Sequence, residues 1–260
     1  MDIRYFISLM IGIVFLSVGR SSGQTAKGQT GFPVLSDYNV VWQTPGKNSL
    51  GSMPAGNGDI GINAWTVDDG DLLFYLSKTD AWSGNGRLLK LGKIRISISP
   101  NPFIKGTPFL QTLDLQDGII QIKAGEKEKE VDINLWVDAH HPVVDVDIKS
   151  KQPVKVTARF ETWRNKPREI TNPVEKGSAY GISDLPVIYV EKDSILHIAG
   201  NEIVWLHRNK YSIWKENLQL QALGKWASNH QDPLLDRTFG GGICSPQMMK
   251  INDETMETKR

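Results

Sequence analysis

The sequence predicts a mainly β protein, a large antiparallel sandwich of two sheets with one short helix near residues 212–223. Three observations carry that expectation. Segment after segment alternates apolar and polar side chains with a period of two, the spacing of a strand with one buried face. Turn formers such as Asp117-Gly118, Ala124-Gly125-Glu126 and His141-Pro142 separate those segments at short intervals, as in sheets packed face to face. Only one stretch, close to the C-terminal end, combines a capping residue with helical spacing.

Residues 1–24 hold one early arginine, an apolar run from Phe6 to Val18 and then small residues at Gly19 and Ser21 to Gly23. That layout is a secretory signal peptide, and a periplasmic or secreted protein is expected. The run is short for a membrane span and no second span follows, so no membrane contact is expected after its removal. Residues 25–36 read as a flexible leader, and the folded part as 37–242, beginning near Asp37 to Trp42. Pro54 and its glycines make a tight entry to the strand Gly61 to Val67. Asp68-Asp69-Gly70-Asp71 reads as a hairpin turn. The return run Leu72 to Leu76 is apolar on both faces, which suits a covered sheet. Alternating strands follow at 93–98, 119–123, 131–137, 143–148 and 154–161. From Trp163 to Pro186 the alternation gives way to charges, prolines and glycines, which marks a long excursion. Strands resume at 187–190, 195–198 and 202–206. Ser212 can cap the helix, with Ile213, Trp214 and Leu218 on its packing face. Residues 234–242 return to the sheet, and 243–260 read as an irregular C-terminal tail.

A formal net charge of +1 argues against a nucleic-acid surface. The single Cys244 has no partner for a disulfide within the chain. An exported chain of this kind relies on its core, and eight tryptophans with many β-branched residues can supply one. His140-His141 lack a third ligand at metal spacing and read as turn residues; no metal and no cofactor are expected. Gly56-Asn57-Gly58-Asp59-Ile60-Gly61 matches a dinucleotide fingerprint by letter, but a proline turn precedes it and a strand follows, where the motif needs a strand and then a helix.

The stretch from Ser52 to Trp65 and on to Gly86 resembles the N-terminal domain of the α-L-fucosidase-type glycoside hydrolases of family 95. It is more similar still to a group of uncharacterised secreted bacterial proteins with the same domain. In both, a Pro-x-Gly-Asn-Gly turn leads into a hairpin and a Trp-bearing loop, as Pro54 to Gly58 and Asp80 to Ser83 do here. The resemblance to the second group takes in Leu88-Leu89-Lys90-Leu91-Gly92, Ser99-Pro100-Asn101-Pro102-Phe103, Trp205-Leu206-His207-Arg208-Asn209 and Arg237-Thr238-Phe239-Gly240-Gly241. It spans about residues 38 to 242. It implies a non-catalytic sandwich that packs against a helical catalytic domain, which holds the acid and the base and is absent here. The chain is accordingly expected to be truncated.

Glycoside hydrolysis needs two positioned carboxyl groups. Asp59, Asp80 and Glu161 are candidates by type, but no spacing pairs them, and no catalytic residue is assigned. Sugar binding needs aromatic faces and planar polar groups. Trp82, Asn85 and Arg87 supply that set on one loop, and His207, Arg208 and Asn209 supply the polar part at a strand end. Trp82 and Trp205 fit sandwich core equally well. Two functions stay open: the N-terminal domain of an exported, fucosidase-like hydrolase acting on carbohydrate, or a stand-alone carbohydrate-binding or adhesive sandwich without hydrolase activity.

Overall fold

The structure is a computed structural model that describes residues 3–10, 34–178 and 188–259. Most of the expected leader, the centre of the excursion and Val187 lie outside the described residues. Strands are numbered along the chain. One sheet has nine strands in the order β14 (Ser194–Leu196), β15 (Glu202–Arg208), β16 (Thr238–Cys244), β1 (Ile3–Met10), β10 (Val143–Ser150), β9 (Val131–Val137), β8 (Ile119–Ala124), β7 (Phe109–Asp114) and β2 (Val40–Trp42). A second has seven, in the order β17 (Met248–Asn252), β18 (Thr255–Thr258), β11 (Lys155–Glu161), β6 (Leu88–Ser99), β5 (Leu72–Trp82), β4 (Ile60–Thr66) and β3 (Met53–Gly56), and β12 (Arg168–Glu169) pairs with β13 (Tyr189–Val190) in the excursion. Neighbouring strands within both are antiparallel, as the alternation predicts.

One apolar core joins the two sheets. Ile120, Ile122, Ile133, Leu135, Val144, Val146 and Ile148 line the larger sheet's inner face, and Ile62, Phe74, Ile94, Ile96, Val156 and Phe160 line the smaller's. At the centre, Phe160 stacks on Trp205 at a centroid separation of 4.0 Å, and the indole N–H of Trp205 donates to the Leu91 carbonyl across 3.0 Å. Trp205 is therefore core. Two glycines make room for the stack. A Cβ at Gly92 would lie 2.3 Å from the Phe160 ring, and one at Gly241 would lie 2.7 Å from the indole. Beside Gly92 the pairing of β5 with β6 slips, from Leu76 against Gly92 to Ser77 against Lys90. The bulge explains why the buried positions of β6 change phase, from Leu89 and Leu91 to Ile94, Ile96 and Ile98.

Several expectations need correction. The Pro54 entry is itself an edge strand, β3, a place where proline costs no ladder bond. Asn57 closes its hairpin by accepting from the Asp59 and Ile60 N–H groups, and its amide donates to the Asp138 and His141 carbonyls of the larger sheet. The fingerprint-like stretch is thus a hairpin with strands on both sides. The tail expected to be irregular forms the β17–β18 hairpin, with Thr157, Ala158 and Arg159 of β11 paired to β18. Its apolar anchors are only Met248 and Met256, too few to stand out in a polar sequence, yet both are fully buried. Ile3–Met10, within the stretch expected as an export leader, are paired as β1; that pairing leaves the export expectation as it stood. The expected helix is shorter, α2 (Trp214–Leu220), because Ala222 turns to φ 60° before a separate turn of helix, α3 (Gly224–Ala227).

Replacing Trp205 with alanine is expected to lower unfolding stability by about 3–5 kcal/mol, the range for a large buried aromatic. Gly92→Ala is expected to cost about 1–3 kcal/mol by overpacking the same stack. Urea denaturation followed by circular dichroism measures both.

Candidate functional site

At one end of the sandwich, β5 runs out at Trp82 and turns back through Ser83 to Arg87, closed by the Ser83 N–H donating to the Arg87 carbonyl. Trp82 is 40% exposed. The Gly84 carbonyl of the turn accepts from the Ile213 N–H, which docks the start of α2 against it. Ile213 in turn packs with Ile170, Ile188 and Val190 in a small second core under the excursion.

Asn85, Arg87 and His207 come together around one small cavity of about 10 Å³, with Tyr189, Glu191 and Tyr211 also on its wall. That volume suits about one water molecule. Asn85 is buried and donates to the Tyr189 carbonyl at 2.7 Å. Arg87 donates to Glu175 of α1 (Pro173–Lys176) at 2.8 Å, and Arg168 grips the same carboxylate. Asn209 is fully buried; its amide donates to the Trp82 and Leu234 carbonyls, so it ties the two predicted segments together. Arg208 does not join them. Strand alternation turns it to the other face of β15, where it pairs with Asp236 in solvent.

Beneath the cavity lies a charge cluster the sequence did not reveal. Asp193 accepts from Arg164 at 2.8 Å and from Thr162, and it bonds His207 Nδ1 at 2.9 Å. All three of Asp193, Arg164 and His207 are buried. Burial alone would push the Asp193 carboxyl up; the bonds from His207, Arg164 and Thr162, with the Arg164 charge, outweigh it and hold it below the ordinary value. Arg164 also donates to the Lys90 carbonyl, which fixes the excursion to β6. No spacing rule connects positions 162, 164, 193 and 207.

Outside this buttress, Tyr211 forms a wall of a second space, an open cleft of about 540 Å³. Lys215, Glu216, His230, Asp232 and Asp236 also line it. His230 stacks on Trp226 at 3.7 Å, and Trp226 leans on Trp214. Burial raises the Tyr211 phenol, and the Glu216 charge adds to it, so the hydroxyl keeps its proton over a wide pH range. The density of acids and aromatics between positions 211 and 236 was the available signal for this cleft.

The carboxylates considered for hydrolysis are occupied elsewhere. Asp59 and Asp80 share Lys78, and Glu161 is held by Lys93 and Arg95. Burial would raise the Glu161 carboxyl, but those two cations outweigh it and bring it below the ordinary value, opposite to the need of a general acid. The Asp138 carboxylate caps the His140-His141 turn by accepting from both backbone N–H groups, and no metal-binding cluster exists among the described residues.

Asp193→Asn is expected to cost about 3–5 kcal/mol, because Arg164 would remain buried without its counter-charge. Glu175 gives a second expectation. Its bonds to Arg168 first, and then Arg87, lower its carboxyl from 4.5 to about 2. A carboxyl depressed on folding stabilises above its unfolded pKa and ceases to do so as pH falls through the folded one. Pepsin cleavage of the excursion is therefore expected to be slow above pH 4.5 and to rise as pH falls from 4.5 to about 2. Arg168→Ala is expected to shift that rise to higher pH.

A comparison with curated proteins finds no match. A comparison with protein families finds one that covers residues 41–259, nearly the whole described fold and past the 242 boundary expected from sequence. Its extent takes in the Pro54 hairpin, the Trp82 turn, the buried cluster and the C-terminal hairpin. The chain belongs to the family described as a domain of unknown function, DUF5703, in its N-terminal form.

Proposed function

We propose that this chain is the carbohydrate-contacting, non-catalytic N-terminal sandwich of an exported glycoside-hydrolase-like protein, with the Tyr211 cleft as its sugar site. The observation that carries the reading is the cleft itself. An aromatic wall, a histidine backed by a tryptophan, one lysine and three carboxylates open to solvent within about 540 Å³. Sugars are recognised by that combination of ring faces and planar or charged hydrogen-bonding groups. Asn85, Arg87, His207 and Asn209 then act from behind, bracing the Trp82 turn, the excursion and the end of β15. Export rests on the Phe6 to Val18 run, and the link to fucosidase-type enzymes rests on the Pro54 to Gly58 turn, its hairpin and the Asp80 to Ser83 loop.

Cleavage is assigned to no residue of this chain. Hydrolysis requires an acid and a base held at a fixed separation, and the carboxylates considered for it are bound in ion pairs. A glycan array carrying mucin, plant-wall and algal sugars tests the binding. Retention of at least one glycan class is expected, weakened about tenfold by Tyr211→Ala, a loss of about 1.4 kcal/mol. Aryl-glycosides of fucose, galactose, rhamnose and arabinose are expected to show no turnover above the blank. Turnover abolished by Asp59→Ala, Asp80→Ala or Glu161→Ala would place an active site in the sandwich, and an array with no retained glycan would end the sugar-binding reading.

A further inference from the structure

β1 sits between β10 and β16, antiparallel to both. Its backbone pairs with β10 along its whole length, from Ile3 against Ser150 to Met10 against Val143. With β16 it shares one position, Ser8 against Cys244. β16 is paired throughout on its other flank, from Glu202 against Cys244 to Arg208 against Thr238. With β1 in place, β16 and β10 are both flanked on this side; without it, each would present a row of backbone groups, and such an edge is a template for another strand. A cleft of about 430 Å³ accompanies β16, with Lys78, Asp80 and Glu202 on its border.

Ile3–Met10 also overlap the apolar run that marks an export leader. One segment cannot be both a cleaved leader and a central strand. Cleavage near residue 24 would open the second flank of β10, which carries neither the proline nor the bulge that commonly guards a natural edge. Val144, Val146 and Ile148 of β10 are core. On its other face Asp147 is only 7% exposed, with Oδ2 3.6 Å from Lys149 and Oδ1 lacking a hydrogen-bond partner.

We infer that the gap between β10 and β16 is a strand-acceptor site, which takes an extended segment of a partner polypeptide once the leader is removed. The inference rests on the export reading above. The walls define the occupant, which runs antiparallel to both neighbours. Its positions opposite Val144, Val146 and Ile148 are apolar, and the position opposite Asp147 brings a donor to the unmatched Oδ1. Ser8 faces Asp145 on one side and Cys244 on the other, so β10 and β16 are staggered. Spanning both takes about twelve residues, roughly 40 Å of extended chain.

The test uses the exported protein, its N-terminus read by intact mass. The probe is a fluorescein-labelled peptide of twelve residues that alternates Val with Thr and places Lys opposite Asp147. Amide hydrogen exchange is followed at β10 and β16, with β9 as the reference. The expected result is a protein without residues 3–10 whose β10 and β16 amides exchange faster than those of β9. The peptide binds saturably and restores their protection, and Asp147→Ala weakens binding about tenfold, the scale of one charge-assisted hydrogen bond. A proline at the centre of the peptide abolishes binding. Full protection of both strands in the leaderless protein alone, or a peptide that does not bind, overturns the inference. A concentration-dependent dimer also overturns it, by assigning the gap to a second copy. Retention of residues 3–10 overturns it together with the export reading, whereas the sugar-binding reading stands or falls on the glycan array alone.

Discussion

The stack of Phe160 on Trp205 is the contact on which both sheets depend. It joins β11 of the smaller sheet to β15 of the larger, and the indole N–H reaches across to the Leu91 carbonyl of β6. A buried indole is stable only if its N–H is met, so that bond fixes the separation and the relative position of the sheets as well as filling space. The neighbouring backbones must then come close to the rings, which requires Gly92 on one side and Gly241 on the other. The bulge at Gly92 and the glycine run of β16 are consequences of packing large flat side chains between twisted sheets.

A second constraint acts at the end of β15, two residues beyond Trp205. His207 and Arg164 converge on Asp193 out of solvent, where the Arg164 and Asp193 charges depend on each other. This cluster draws the excursion back onto β6, while the Ile213 N–H on the Gly84 carbonyl joins the Trp82 turn to the start of α2. Beside it, Asn85, Arg87 and Asn209 are held by bonds to the Tyr189 carbonyl, the Glu175 carboxylate and the Trp82 and Leu234 carbonyls.

The periodicity of the chain was legible because it reports which face of each strand is wet. β4, β8, β9, β10 and β11 follow their alternation closely, and His140-His141 are the turn their neighbours suggested. Less legible were the elements with few apolar positions. β3 hides behind a proline and glycines, and the β17–β18 hairpin is anchored by two methionines in a polar setting. Of the candidate site, Asn85, Arg87 and His207 were found by residue type and do meet around one cavity. Arg208 was grouped with its chain neighbours although consecutive residues in a strand point to opposite faces.

The sequence by itself determined the mainly β class, the order of most strands, the excursion and the helix that begins near Ser212, since each depends on local pattern and turn chemistry. Only the tertiary structure decided which strands neighbour one another, that Trp205 is core while Trp82 is open, and that Asp193 unites positions 162, 164 and 207. These are choices made by contacts between residues far apart in the chain. Their energy comes from burial and from matching hydrogen bonds across a closed core, and neither quantity exists until the sheets have packed.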